Sequence, residues 1–144
     1  MDMDTIEVVA ALIFDRNGQV LLVRKRGTEA FMQPGGKRDA GEDDVAALSR
    51  EIEEEIGCRL VPTSIRMLGE FDAVAANEPD CRVCANLYVA EVIGQIVPNR
   101  EIDEVIWVDP SAASDLVLAP LTRDHVLPIA SCLWDEQLID KQNC

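Results

Sequence analysis

Gly36-Lys37-Arg38-Asp39-Ala40-Gly41-Glu42-Asp43-Asp44-Val45-Ala46-Ala47-Leu48-Ser49-Arg50-Glu51-Ile52-Glu53-Glu54-Glu55-Ile56-Gly57-Cys58 is the stretch on which the reading of this chain turns. Across residues 43–56 the apolar side chains Val45, Leu48, Ile52 and Ile56 recur every three or four positions, the spacing of one helical face. Gly57 follows where a cap glycine ends a helix. The polar run 37–44 ahead of it reads as a loop. Within 36–57, eight acids (Asp39, Glu42, Asp43, Asp44, Glu51, Glu53, Glu54, Glu55) face three bases (Lys37, Arg38, Arg50), a formal charge of −5. Glu51 lies one turn before Glu54 and Glu55, which puts three carboxylates on neighbouring positions away from the apolar stripe. Like charges so spaced oppose helix formation, and near the C-terminal end they also oppose the helix dipole. A hard divalent cation turns that repulsion into binding, because Mg²⁺ takes octahedral oxygen ligands, typically a few carboxylates with waters and substrate phosphates. Arg50, next to Glu51 and one turn before Glu54, can orient a carboxylate by a bidentate contact. The competing reading of such a run is a merely solvated helix face.

The segment resembles the Nudix box, G-x5-E-x7-R-E-U-x-E-E-x-G-U with U a bulky apolar residue. Gly36, Glu42, Arg50, Glu51, Ile52, Glu54, Glu55 and Gly57 fall on its fixed positions, and Cys58 takes the last apolar place as a small hydrophobe. The resemblance implies an α/β fold, a Nudix-type α/β/α sandwich with a mixed β-sheet between helices, in a single domain spanning 1–144 with the box at 36–58. It implies catalytic roles for Arg50, Glu51, Glu54 and Glu55, and metal binding by Glu51, Glu54, Glu55 and the carbonyl of Gly36. Mg²⁺ is the implied cofactor, with Mn²⁺ able to substitute, while Arg50, Glu42 and Gly57 support the loop and helix and Glu53 fills a variable position. Many members use a further acid outside the box, before a short strand with a W-V-like ending, to bind metal or act as base. Glu104 in Glu104-Val105-Ile106-Trp107-Val108 is the candidate, with Glu101 in reserve, and a solvated acid is the alternative for either. Arg26 resembles a phosphate-contacting position of MutT-like members, its alternative being a solvated strand end.

Working outward, residues 6–14 are nearly continuous apolar sequence, and Asp15-Arg16-Asn17-Gly18 is a turn signal before 20–23, which predicts a hairpin of two buried strands. Residues 65–74, 82–93 and 102–108 read as further strands. Residues 121–139 carry a looser helical pattern that Pro128 should break or kink. Strands on both sides of a central helix, with helical sequence near the end, suggest a mixed sheet between helices.

At 144 residues, 48% hydrophobic and 28% charged, the chain fits one self-folding domain. No apolar run approaches the roughly 20 residues needed to span a bilayer, and the first residues are acidic where a secretory signal would be basic, so a cytoplasmic protein without membrane contact is expected. Five cysteines at irregular spacing suggest reduced thiols. The net charge of −14 and the lack of a basic block argue against nucleic acid as a partner, whereas a small nucleotide can arrive with its own Mg²⁺. Cys81-x-x-Cys84 lacks a second ligand pair, His125 is the only histidine and has no evident partner for nucleophilic catalysis, and Trp107 and Trp134 read as core or surface residues.

The family chemistry is attack of water on a phosphorus of a nucleoside diphosphate linked to another group. Features expected of NADH, ADP-ribose, dinucleoside polyphosphate and coenzyme A hydrolases are missing, including a proline where Ala73-Val74-Ala75 stands and a tyrosine slightly farther on, the only tyrosine being Tyr88. This leaves the MutT-like group, which converts nucleoside triphosphates, oxidised or not, to monophosphate and pyrophosphate. The asparagine with which that group reads an oxidised base is replaced here by Thr122 or its neighbours. Two other readings stay open: a nucleotide-sugar or ADP-ribose-type pyrophosphatase, and a non-catalytic Nudix-fold nucleotide sensor. Domains of this size in the family often form homodimers.

Overall fold

The computed structural model describes residues 4–99 and 101–142, with side chains as far as residue 135. Nine strands and two helices follow in the order β1 (Asp4–Leu12), β2 (Val20–Lys25), β3 (Phe31–Met32), β4 (Gly35–Gly36), α1 (Asp44–Ile56), β5 (Arg59–Leu60), β6 (Arg66–Val74), β7 (Cys81–Val89), β8 (Val92–Ile93), β9 (Ile102–Val108) and α2 (Leu127–Gln142). One sheet runs β4-β1-β7-β6, with β1 and β7 parallel and the other pairs antiparallel, and a second runs β3-β2-β9. The first sheet is therefore mixed, as expected, and the second is antiparallel.

Alternation along the strands divides the core in two. Val9, Ala11, Ile13, Leu21 and Val23 pack with Ala47, Leu48, Ile52 and Ile56 of α1. Ala10, Leu12, Val20 and Leu22 face the other way, against Val126 and, at the start of α2, Leu127 and Ala130. Burial on both faces is why 9–13 and 20–23 read as unbroken apolar runs. The predicted hairpin survives only at its tip, where Phe14 bridges Val20 and the Leu21 N–H donates to Ile13 O. Beyond that point β1 and β2 part into different sheets, each finding its main partners elsewhere.

The last helix also differs from expectation. Pro128 does not interrupt it; a π turn over Thr122–Val126 runs directly into α2, with the Leu127 N–H donating to Thr122 O. The wider turn comes just before the residue that has no N–H to offer, which accommodates the proline without a break.

Candidate active site

Helix α1 begins and ends where its sequence says it should. Asp43 caps it by accepting the Ala46 N–H at 2.8 Å, and Gly57, at φ 71°, closes it in the left-handed conformation. Two of the last carbonyls are taken by the 97–99 segment, through Val97 N–H to Ile56 O and Asn99 N–H to Glu55 O. In the first turn, the Asp44 carboxylate accepts hydrogen bonds from Tyr88 Oη at 2.6 Å, Asn86 Nδ2 at 2.9 Å and Arg38 Nε, tying the helix start to β7. Burial opposes ionisation of Asp44, but these donors outweigh it and hold its pKa below the usual range. Burial and then Asp44 itself push the Tyr88 hydroxyl up to about 12.

Arg50 organises the loop. Its Nε and Nη2 donate to the two oxygens of Glu42 at 2.8 and 2.9 Å, Nη2 also reaches Lys37 O at 2.9 Å, and Nη1 reaches Glu51 Oε1 at 2.8 Å and Glu54 Oε2 at 3.2 Å. Glu42 accepts in addition the Asp39 N–H at 2.7 Å, closing the polar run 37–44 on itself. The Arg50 guanidinium, helped by that amide, holds the Glu42 carboxyl below its ordinary pKa. Arg50 in turn is driven further toward permanent charge, first of all by Glu42.

Two glycines make room for two glutamates. A Cβ at Gly36 would lie 2.5 Å from Glu51 Cδ, so the Glu51 carboxylate rests on bare backbone. Gly35, at φ 149°, donates its N–H to Glu55 Oε1 at 2.8 Å, and a Cβ there would meet Val9 O at 2.1 Å. Glu55 is only 7% exposed. It therefore does not project with Glu51 and Glu54 away from the apolar face, as its spacing implied. Val45, counted in the stripe, is 43% exposed, and Ala47 packs in the core instead. Burial pushes the Glu55 carboxyl up to about 7, against the lowering pull of the Gly35 N–H and Lys25, with Glu51 and Glu101 adding repulsion. Burial likewise raises Glu51, partly offset by Arg50.

Glu51, Glu54 and Gly36 line one end of a cleft of about 380 Å³, together with Lys25, Lys37 and Glu101. The rest of its lining is mainly aliphatic, with Ile6, Val8, Met32, Val83 and Leu121, and includes the polar side chains of Gln33, Asn77 and Glu78. A wider open groove of about 1080 Å³, lined by Phe14, Arg16, Trp107 and Trp134 among others, contains none of residues 33–57 and stands apart from this chemistry.

Two expected site residues do not join the cluster. Glu104 pairs in register with Arg24 and bonds its guanidinium at 3.2 Å, beside Asp103 at 3.0 Å. Arg26 is exposed and does not line the cleft, although its N–H donates to Glu101 O at 2.9 Å. A register shift between Arg24 and Lys25 sets Lys25 opposite Ile102 and leaves Asp103 unmatched. Of the two acids it is the reserve candidate Glu101 that lines the cleft, where Lys25 joins Lys37 as a cation. Lys25 continues the alternation of Leu21 and Val23 toward α1, which is the sequence signal for its position.

The donor set suits a hard cation. Three carboxylates lie about one turn of helix apart, and half-buried Glu51 and buried Glu55 lie near each other with ionisation made costly, a deficit that a divalent ion would cancel. Among the described residues no three His, Cys, Asp or Glu side chains converge as a ready-made cage. Arg50 draws Glu51 and Glu54 to itself and Gly35 holds Glu55, which fits an ion that keeps much of its coordination for water and phosphate.

The sequence features set aside as unconnected find other neighbours. Cys81 and Cys84 lie on β7, with Cys84 Sγ 3.2 Å from Glu70 Oε1. The His125 ring lies 5.4 Å from that of Phe71, and Trp134 packs on Phe14 at 5.3 Å. Thr122 is fully buried and donates to Gln33 Oε1 at 2.6 Å. Among the described residues no helix is long and apolar enough to cross a membrane.

Comparison with known proteins agrees with this geometry. Residues 4–129 match the family model of the NUDIX domain. The chain is 33% identical over 116 residues to an 8-oxo-dGTP diphosphatase of Haemophilus influenzae, covering 78% of this chain and 82% of that one. It is 40% identical over 68 residues to an RNA pyrophosphohydrolase of Acidiphilium cryptum, but that match spans only 44% of this chain and 39% of the relative. The crystal structure of a MutT protein from Methanosarcina mazei superposes with a TM-score of 0.73 at 22% identity, covering 91% of this chain and 96% of the other. With an intact box, a cleft at its helix and a family match along most of its length, the chain belongs to the NUDIX family and is a MutT-like Nudix hydrolase.

Proposed function

We propose that this hydrolase converts a nucleoside triphosphate, oxidised or not, to the monophosphate and pyrophosphate. The observation that carries the reading is the single cleft joining an aliphatic slot to the box glutamates. A slot of that character suits a flat base, its volume suits one nucleotide, and the phosphates would then lie along Lys25 and Lys37 toward Glu51 and Glu54. The similarity to an 8-oxo-dGTP diphosphatase supports the same substrate class.

Glu51, Glu54 and Glu55, with the Gly36 carbonyl, would hold Mg²⁺ or Mn²⁺, which when bound supplies charge neutralisation and an activated water. The chain's own groups do the rest. Lys25 and Lys37 bind and orient phosphate oxygens. Glu101, facing the same space, takes the proton of the attacking water. Arg50 fixes the aim of Glu51 and Glu54, and its links to Glu42 and Lys37 O keep the loop closed against them.

The test is pyrophosphate release with Mg²⁺ and then Mn²⁺ across ordinary and oxidised nucleoside triphosphates, ADP-ribose and nucleotide sugars. Triphosphates should be preferred, and EDTA should abolish turnover. Preference for a nucleotide sugar or ADP-ribose would overturn the substrate class, and turnover surviving EDTA would overturn the metal's role. Nucleotide binding without turnover of any substrate in the panel would favour a sensor.

A further inference from the structure

The aliphatic end of the cleft contains one buried carboxamide. Gln33, 9% exposed, precedes Pro34 and lines the slot with Met32, Val83 and Leu121. Its Oε1 accepts the hydroxyl of Thr122, which is fully buried in the π turn 89 residues away. Its Nε2 has no hydrogen-bond partner among the described residues, yet no buried side-chain nitrogen or oxygen lacks one. The Nε2 therefore keeps exposed surface, and the cleft is the space that Gln33 lines. With the Thr122 hydroxyl donating to Oε1, the two N–H groups are what the slot presents.

We infer that Gln33 is a specificity-determining residue that selects nucleobases bearing a ring carbonyl at the edge facing it, over adenine, whose corresponding group is a donor. The inference rests on the nucleoside triphosphate reading above and adds the base class to it. The energetic argument is that an N–H in an apolar slot gains little from an aliphatic neighbour, gains a hydrogen bond from a carbonyl, and is left unpaired against an amino group. A site built to hydrogen-bond its substrate rejects the mismatched analogue far more strongly than an apolar site does. Thr122 is a positioning residue, because it acts only through the amide.

The experiment measures kcat/KM for dGTP, dTTP and dATP with Mg²⁺, using the unmutated enzyme, Gln33→Met, Gln33→Glu and Thr122→Val, with melting temperatures for each. The unmutated enzyme should prefer dGTP or dTTP over dATP by about 10- to 100-fold. Gln33→Met, close in volume, should lower the keto substrates about 10-fold or more while leaving dATP nearly unchanged. Gln33→Glu should move preference toward dATP, and Thr122→Val should narrow the discrimination without reversing it, because the freed amide can turn. Equal losses for all three nucleotides in Gln33→Met would reduce Gln33 to a packing role and overturn the inference. An unmutated enzyme indifferent to the base would overturn it as well, while leaving the triphosphate reading intact. If no triphosphate turned over, both would fall. Should Gln33→Met fail to fold, the profiles of the unmutated enzyme and Thr122→Val decide.

Discussion

The two ends of the cleft are built in opposite ways. The charged end comes mostly from residues close in sequence: Gly35, Gly36, Lys37, Glu42, Arg50, Glu51, Glu54 and Glu55 lie within one loop and the helix that follows it, most of their hydrogen bonds stay inside that span, and Lys25 and Glu101 join from elsewhere. The aliphatic end draws Ile6 and Val8 from β1, Met32 from β3, Val83 from β7 and Leu121 from the approach to α2. The carboxylates and the arginine that aims them are local, and the lining of the slot is not. Loss of a charge at the first end should silence the enzyme without unfolding it, whereas changes at the second should redirect it.

The sharpest break of that contrast is Glu54→Gln against Glu53→Gln, both on exposed positions of α1. The first should lower kcat on the order of 10²–10³-fold with an unchanged melting temperature, and the second should alter it by no more than about twofold. Equal losses would mean that the wrong face of α1 has been assigned to the metal. Next comes the pair on the 101–104 segment. Glu101→Gln should cost roughly 10²-fold in kcat, and Glu104→Gln should leave kcat within about twofold while loosening Arg24. The reverse ranking would move the base to the Arg24 side.

Arg50→Lys keeps the charge but cannot span Glu42, Lys37 O and Glu51 at once. The metal concentration needed for half-maximal activity should rise about 10- to 100-fold, and an unchanged value would show that the carboxylates are aimed without it.

The smallest effect concerns stability. Glu55 ionises at about 7 in the fold against an ordinary 4.5, so folding favours its protonated form. The metal-free protein should accordingly lose stability as pH rises from about 4.5 to about 7, and remain at the lower level above that. Glu55→Gln retains an acceptor for the Gly35 N–H. In EDTA at pH 8 it should unfold later than the parent, by about 1–3 kcal/mol, and at pH 4 the two should nearly coincide. A destabilised Gln variant at pH 8 would mean that Lys25 and Gly35 already compensate the charge.

How much of this could be read from the chain follows the same division. Asp43 and Gly57 bound α1 because capping depends on neighbours in sequence, and the roles of Gly36 and Arg50 lie in spacing within one turn or one loop. The burial of Glu55 was not legible, since it depends on a glycine 20 residues earlier whose N–H meets it only after β4 pairs with β1. Val45 counted as core by periodicity, but the first turn of α1 leaves it in solvent, and Ala47 meets the sheet instead. Glu104 stands before Trp107-Val108 as the family pattern expects, yet it pairs with Arg24 while Glu101 lines the cleft, a placement that goes with a register shift opposite Arg24 and Lys25 which no residue type announces. The partnership of Gln33 with Thr122, 89 residues apart, has no signature in the sequence.

The π turn at Thr122–Val126 has one more consequence. Such a turn holds an extra residue within a helix, and each residue advances an α-helix by about 100°. Losing any one of the five would restore regular winding while swinging all that follows around the axis. Trp134 now seats on Phe14 and closes over Gly18, where a Cβ would lie 2.5 Å from its ring. Thr122, upstream, faces Gln33. The extra residue is thus a phase offset that lets one helical run satisfy two fixed addresses at once, and a single-codon deletion there would be felt more than most substitutions.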